Sequence, residues 1–589
     1  MLPALQIALP GQRALWYDLT MPWSLTKKTI RNRPYWYARI CRRVDGKPRI
    51  VQTRYLGTAD DLVTARDAQR QPLPPREVTL AEFGASAALW DIAQKLHLVE
   101  TVDRHVPKRD QGVSVGQYLT LAALNRAVEP CSKAALANWY GHSVVSRLIP
   151  ARAAQLTSQR FWDHFRPITE AQLGAIERDL CRTAIEEFHL DLRLLLFDPT
   201  NVFTFIDTFN AASTLAQRGK SKEGRESLRI LGLAVVATAD GPVPLLHDLY
   251  PGNRHDTTEF PVIVERLTER LGELRERVED ITLVFDKGNN SQDNFDQLID
   301  TPLNFVGSLV PTHYPELLQI ALDQFAPLTH PRLRDVLALR CAVHVFGHWR
   351  TVVVTHNPRL FEAQRKTLER EIRKRLRKLR ALKRRLDRWR SGRGRGKAPT
   401  VESVQKNLTA ILHGRHMKQL IEAVVAPTEQ GPSLVYGWNH PAWRELSGTL
   451  LGKTIVFTDH DDWSDEEIIL AYRGQYLLEE LHKRIKDPHV LSFRPTRHWT
   501  DGMLQVHALY CFVALLLASL LRRQLAQQGL DLPLGRLLRE LRDIREVALL
   551  YPARRGRPHK PVTCLSHMTA LQEDLFARLD LARHAANLS

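Results

Sequence analysis

Three acids far apart in the chain carry its clearest chemical signal. Asp198 closes the apolar run LRLLLFD (Leu192–Asp198), Asp286 closes ITLVFD (Ile281–Asp286), and Glu479 lies within YRGQYLLEELHKRIK (Tyr472–Lys486). The first two runs read as strands that end in a carboxylate, and the third stretch reads as a helix. Hard divalent cations take oxygen ligands, and Mg²⁺ uses one or two carboxylates with phosphate oxygens completing its shell. Two such ions about 4 Å apart activate an attacking water or hydroxyl and stabilise the leaving oxygen in phosphoryl transfer. Strand ends hold ligands rigidly, as that geometry demands. Each acid taken singly also suits an ordinary turn after a strand. The set, with basic residues beside it, is what points to phosphoryl chemistry.

The helix that carries Glu479 is well marked. Ile468, Ile469, Tyr472, Tyr476, Leu477, Leu481 and Ile485 recur near the 3.6 period, with Gly474 the one interruption before Pro488 stops the pattern. Ser464 and Glu467 have capping-box spacing, and Asp465, Glu466 and Glu467 suit the positive end of a helix dipole. Glu479 stands three residues before His482 and seven before Lys486. One face about two turns long thus offers a carboxylate and two basic groups, which a phosphodiester could span. A solvated face with ion pairs at the same spacing is the plainer alternative.

The 589 residues, 44% of them hydrophobic, suffice for several domains. The net charge is +18, which points to an anionic polymer or an acidic membrane surface as partner. Most of the excess sits in one place. Between Arg365 and Lys397 seventeen Lys and Arg face three acids, a local charge of +14. The six cysteines are scattered without a CxxC pair, which predicts neither a zinc site nor a disulfide framework and fits a reducing cytosol. The N-terminus lacks the layout of a signal peptide, and the longest apolar run, Ala508–Leu521, is too short for a membrane span. The reading is a soluble protein with no membrane partner.

In chain order, residues up to about Arg70 predict a β-rich module. Its hairpin runs from Tyr35–Ile40 through an Asp45-Gly46 turn to Ile50–Leu56, with Arg42, Arg43, Lys47, Arg49 and Arg54 on a DNA-facing or merely wet basic surface. A proline-rich linker, Gln71–Arg76, follows. The stretch from Thr79 to about Leu190 is helical, with Trp90, Leu96 and Leu98 in one helix and Trp139 and Trp162 in the core. Strands are then expected at Leu192–Asp198, Asn201–Thr208, Arg229–Ala237, Pro244–Tyr250, Ile281–Asp286 and Asn304–Val310, with helices at Asp256–Val278 and Ser291–Ile299. This order predicts an α/β sheet of mixed strand direction. After it, strands at Leu337–Val345 and Trp349–Thr355 precede a basic helix, Leu360–Arg390, for which Val401–Val424 is the expected hairpin partner. Strand Leu450–Thr458 then leads back to the Glu479 helix.

Several motifs occur in a telling order: LLFDPTNVF around Asp198, GKSKEGR at Gly219–Arg225, YPGNRHD at Tyr250–Asp256, VFDKGNNS around Asp286, and FRPTRHW with VHALYCF between Phe493 and Phe512. With them the chain resembles the DDE transposases of bacterial insertion sequences, in the branch marked by a Tyr-Arg-Glu-Lys signature. The resemblance runs from about Tyr35 to Phe512. It implies an RNase H-like mixed sheet interrupted by an inserted domain of β-strands and a helical hairpin. The implied organisation is an N-terminal β-rich DNA-binding module (1–75), a helical domain (76–190), the first part of the catalytic core (191–310), the insertion (311–450), the second part with the Glu helix (451–525) and a C-terminal tail (526–589).

By the same resemblance Asp198, Asp286 and Glu479 form the catalytic, metal-binding triad for two Mg²⁺ or Mn²⁺ ions. Tyr472, Lys486, Arg494, His498, Lys220, Lys222 and Arg225 become DNA contacts. Two positions depart from the pattern: Gln475 replaces the signature Arg, leaving Arg473 as a substitute phosphate contact, and His482 replaces an aromatic residue. The implied activity is metal-dependent cleavage at the ends of an element, followed by strand transfer from the exposed 3′-hydroxyl. The implied partners are double-stranded terminal inverted repeats and target DNA, met by a dimer at the bacterial nucleoid in the cytoplasm. A DNA-binding protein that has lost catalysis, and an RNase H-like nuclease without strand transfer, are the rival readings. The basic helix adds a salt-sensitive phosphate grip. Arg555-Gly556-Arg557-Pro558 reads either as a minor-groove hook or as a hairpin turn between Val547–Tyr551 and Pro561–Leu565. His507 reads as a satisfied core histidine.

Overall fold

The computed structural model describes residues 23–44, 46–70, 74–108, 112–274, 281–395, 397–494, 496, 498–552 and 561–586. The chain divides into two units, one of Met1–Thr79, Val547–Cys564 and Asn587–Ser589, the other of Leu80–Glu546 and Leu565–Ala586. The first contains an antiparallel meander of β1 (Ser24–Ile30), β2 (Arg33–Val44) and β3 (Lys47–Gly57). Arg31 and Asn32 both adopt positive φ at its first turn, the backbone a tight hairpin needs. At the second turn Gly46 has φ +75°, while Asp45 lies outside the described residues. Tyr55 packs against Tyr35 and Tyr37 with ring centroids 6.1 and 5.3 Å away. Arg42, Arg43, Lys47, Arg49 and Arg54 are all exposed. Strands Arg545–Leu550 and Val562–Leu565 are neighbours in a small sheet; the Arg555–Pro558 motif between them lies outside the described residues. The linker Gln71–Arg76 is described only from residue 74.

The second unit starts with helices. The single helix expected around Trp90–Leu98 is two, Gly84–Lys95 and Leu98–His105, because His97 turns the chain with φ +47°. Val115–Val128 and Glu170–Phe188 each start at a capping box, on Ser114 and Thr169. Trp139 is buried and Trp162 partly so.

The large sheet is mixed α/β architecture built from the middle of the chain. Its strands are β4 (Leu194–Phe203), β5 (Arg229–Thr238), β6 (Pro244–Pro251), β7 (Thr282–Phe285), β8 (Asn304–Ser308), β9 (Leu337–Val345), β10 (His348–His356) and β11 (Lys453–Thr458). Two short strands, Gln217–Arg218 and Ala326–Pro327, complete its edges, and the order across it is β9-β10-β11-β8-β7-β4-β5, with β6 also on β5. β4, β7 and β8 run parallel, while β4–β5, β5–β6, β8–β11, β11–β10 and β10–β9 are antiparallel. Helix α1 (Asp256–Leu274) leads into β7, and α2 (Gln292–Ile299) leads into β8.

Three differences from the sequence expectations matter. The strands expected at Leu192–Asp198 and Asn201–Thr208 are one strand, β4, which passes straight through Pro199. Proline is tolerated there because β7 pairs β4 only as far as Phe197, so that side of the ladder needs no N–H from residue 199. The strands at 337–356, expected inside the insertion, bond through β11 and widen the large sheet. The basic helix α3 (Pro358–Arg390) buries Ile372, Leu379, Leu382 and Leu386, but its partner helix stops at Ile411. The chain then forms strand Ile421–Ala426, paired with Ser433–Trp438.

The Glu479 stretch is also divided, into α4 (Asp465–Arg473) and α5 (Gln475–Lys486), with the Ser464–Glu467 capping box in place. Gly474 marks the joint, where its N–H is shared between the carbonyls of Leu470 and Ala471. Helix α6 (Asp501–Gln527) extends well past the apolar run read from sequence. It is long and apolar enough to cross a membrane, yet 94% of its most apolar window is buried inside the protein. His507 on α6 is buried, with its ring nitrogens against the Phe493 carbonyl and the Tyr510 hydroxyl.

Candidate active site

The register of the sheet brings two of the three acids together. Phe197 of β4 and Phe285 of β7 are partners across parallel strands, so Asp198 and Asp286, one residue on, stand side by side. Neighbouring strands are about 4.8 Å apart, and matched positions on parallel strands face the same way. Asp286 remains extended, with φ −90° and ψ 161°, before the turn at Lys287–Asn289.

Each carboxylate has its own partners. Asp198 Oδ2 lies 3.1 Å from His482 Nδ1, and the His482 ring is almost wholly buried. Asp286 Oδ1 accepts hydrogen bonds from the Ser308 hydroxyl at 2.9 Å and the Tyr472 hydroxyl at 3.1 Å, with Lys287 Nζ 3.6 Å away. Desolvation pushes the Asp286 carboxyl up, but Lys287 and the hydrogen bonds outweigh it and hold the group below the ordinary aspartate range. Burial, and then the charge of Asp286, push the Tyr472 phenol well above its usual range, so it remains a donor.

Helix α5 crosses this end of the sheet and is tied to it at three heights. The Gln475 amide donates to the carbonyls of Phe197 at 3.3 Å and Val284 at 2.6 Å, on the two strands that lead to the acids. His482 meets Asp198, and Lys486 Nζ donates to Thr200 Oγ1 at 2.7 Å. Desolvation lowers the Lys486 pKa, with Lys222 and Arg494 adding to it and Glu223 and Asp198 opposing. Glu479 lies one turn from both Gln475 and His482, hence on the same side of α5, and its charge reaches Tyr472. It is exposed. Among the described residues, no three His, Cys, Asp or Glu side chains lie close enough to hold one metal ion.

The Gly219–Arg225 loop and the YPGNRHD turn meet beside β4. A Cβ at Gly219 would collide with the Gly252 carbonyl oxygen, and one at Gly252 with that of Ile230, so both motifs need glycine where the backbones touch. Lys222 donates to the Pro199 carbonyl at 2.5 Å and pairs with Asp256 at 3.3 Å, while Asp256 accepts from Tyr250 at 3.1 Å. Lys220 is exposed, and Arg225 lies over the Phe203 ring at 4.6 Å.

Two expected DNA contacts are placed otherwise. Arg494 is committed within the chain, bonded to Glu223 at 2.6 Å and to the Lys486 carbonyl, and stacked 4.4 Å from the Phe203 ring centroid. It braces the end of α5. His498 is buried in a separate pocket, edge-on to Trp162, and burial pushes its pKa down to about 3. Arg473, the expected substitute for the signature Arg, donates to the Arg332 carbonyl instead. The sequence reading missed His482 as the partner of Asp198, Ser308 as a donor to Asp286, and Gln475 as the clip between strands. Only the departures at 475 and 482 marked any of these beforehand.

No family model matches the sequence, and no curated protein matches it. Among solved structures the chain is similar to a cryo-EM structure of the piggyBac transposase synaptic complex with hairpin DNA. The two are 9% identical over 78% of each chain, with a TM-score of 0.33. So loose a likeness carries no argument about this chain.

Proposed function

We propose that this chain is a DNA transposase of the DDE type from a bacterial insertion sequence, with an RNase H-like core interrupted by an insertion. The observation that carries this reading is the register of β4 and β7, which sets Asp198, midway along β4, beside Asp286, the residue just past the end of β7, on the side of the sheet crossed by the helix bearing Glu479 and Lys486. The residues between β8 and α4, which contain the basic helix, support the insertion. Further support comes from the net charge of +18, concentrated in that helix.

Asp198, Asp286 and Glu479 would hold two Mg²⁺ or Mn²⁺ ions; carboxylates on neighbouring strands of a rigid sheet suit such oxygen-loving cations. Bound there, the metal supplies activation of the attacking oxygen and stabilisation of the leaving one. The chain's own residues do the positioning. Tyr472 fixes the rotamer of Asp286, His482 that of Asp198, and Lys486 offers an ammonium to a phosphate beside them. Lys220, Lys222 and Arg225 would extend this contact along a duplex. Substrates would be the element's terminal inverted repeats and target DNA, joined by a dimer in the bacterial cytoplasm. End cleavage exposes a 3′-hydroxyl, which then attacks the target.

One observation favours a second reading. Glu479 is exposed and the three acids form no compact group among the described residues, as in a DNA-binding protein that has lost catalysis. Alanine substitution of Asp198, Asp286 or Glu479 decides between them when end cleavage and DNA binding are assayed separately with Mg²⁺. The transposase reading expects cleavage lost and binding kept in all three. Full cleavage by any one refutes the triad, and a wild-type chain that binds but never nicks supports the second reading. Nicking without joining to target would mark a nuclease.

A further inference from the structure

Away from the acids, a pocket of about 390 Å³ opens between the helical region and α6. Its lining includes Arg126, Lys133, Ser158, Trp162, His498 and Tyr510. Arg126, Lys133 and His498 are each more than nine-tenths buried. Each also keeps a polar atom without a hydrogen-bond partner: Arg126 Nε, Lys133 Nζ and His498 Nδ1. Lys133 Nζ sits 4.2 Å from the Tyr510 ring centroid and 5.4 Å from that of Phe161, and Arg126 faces Tyr510 from 5.8 Å. No carboxylate lines the pocket among the described residues.

Buried charge without a counter-charge is strongly unfavourable, and buried polar groups in folded proteins are nearly always partnered. Aromatic faces compensate a cation only in part. Two cations and an imidazole converging from two distant parts of the chain call for an anion with several acceptor oxygens. A carboxylate would be satisfied by the arginine alone. A phosphoryl group offers oxygens to the Nε edge of Arg126, whose Nη1 already donates to the Ser492 carbonyl at 3.3 Å, and to the point charge of Lys133 together. The pocket has room beyond that group for part of whatever carries it, with Trp162 as a wall.

We infer that the Arg126–Lys133–His498 pocket is a binding site for a phosphoryl anion, separate from the acidic site on the sheet. The anion is either free phosphate or the terminal phosphomonoester of a nucleic acid strand. Burial also lowers the Lys133 pKa to about 7, the behaviour of an ammonium lacking its counter-ion.

Calorimetric titration of the full chain at constant ionic strength tests this, with inorganic phosphate as one probe and 5′-phosphorylated and 5′-hydroxyl dinucleotides as the others. Saturable binding of phosphate is expected. A tighter phosphorylated dinucleotide would identify a strand end as the source, and equal affinity would identify the free anion. Lys133→Met should weaken phosphate binding at least tenfold while raising the melting temperature of the unliganded protein, because it removes an unpaired buried charge. Ser158→Glu, at the half-buried start of its helix, should abolish binding by supplying a competing carboxylate, and it covers the case in which Lys133→Met does not fold. Absence of saturable binding by every probe, or wild-type affinity in a folded variant, would overturn the inference.

Discussion

Nδ1 of His482 lies 3.1 Å from Oδ2 of Asp198, and the other ring nitrogen is buried without a partner. The histidine therefore spends its one contact on orienting an acid. His482→Phe keeps the bulk and removes that contact, leaving a carboxylate oxygen without its partner. It should cost about 1–3 kcal/mol of stability in denaturant unfolding. Metal-dependent nicking should fall about 10- to 100-fold, the usual effect of removing a group that orients a ligand. Wild-type nicking by a folded His482→Phe chain would show that Asp198 needs no such support.

Gln475 holds together the strands that carry the acids, through the carbonyls of Phe197 and Val284. Gln475→Ala should destabilise by about 1–3 kcal/mol, since a buried acceptor loses its donor. Gln475→Glu should be worse, because a carboxylate would face two carbonyl oxygens. Unfolding midpoints of the two variants give the comparison, and equal stability of Glu and Gln at this position would exclude the clip. DNA affinity should be nearly unchanged in Gln475→Ala, because the amide points into the sheet.

The Tyr472 hydroxyl bond to Asp286 makes a prediction about pH. Desolvation opposes ionisation of Asp286, but Lys287, Ser308 and Tyr472 prevail, and its folded pKa lies below the ordinary 3.8. Folding thus favours the carboxylate. The resulting stability is complete above about pH 5 and is lost as pH falls through the lowered value. Tyr472→Phe weakens this preference, so it should lose about 1 kcal/mol at pH 7 and progressively less towards pH 3. A stability difference that stays flat across that range would mean that Tyr472 acts by packing alone.

Local signals in the sequence marked most strands and helices around the site. Alternation and apolar runs located β5, β6, β7 and β8 to within a few residues, and Ser464 with Glu467 marked the start of α4. The apolar run to Asp198 and the alternation from Asn201 look like two strands, and nothing local shows that they join through Pro199. Proline fits inside a strand only where one side of it is free, and that freedom depends on where β7 stops. The strands at 337–356 look local in sequence, yet their partner β11 lies about a hundred residues later. The partners of Asp198 and Asp286 were illegible for the same reason. His482, Ser308 and Gln475 gain their roles from long-range register, which no spacing along the chain encodes.

The basic helix α3 buries only Ile372, Leu379, Leu382 and Leu386, and leaves Arg373, Arg377, Arg380 and Arg384 exposed. None of these four arginines supports the buried stripe, so replacing them with glutamine should leave the melting temperature unchanged. If the helix grips a duplex through its phosphates, each lost contact releases fewer counterions on binding, and the slope of log affinity against log salt falls by about 0.9 per contact. The quadruple variant should therefore lower the slope by about 3 to 4 and weaken binding to every duplex alike, because phosphate contacts carry no sequence information. Filter binding between 50 and 200 mM salt (roughly the range over which such contacts dominate) on two unrelated duplexes measures both effects. An unchanged slope would assign the charge of this helix to solvent.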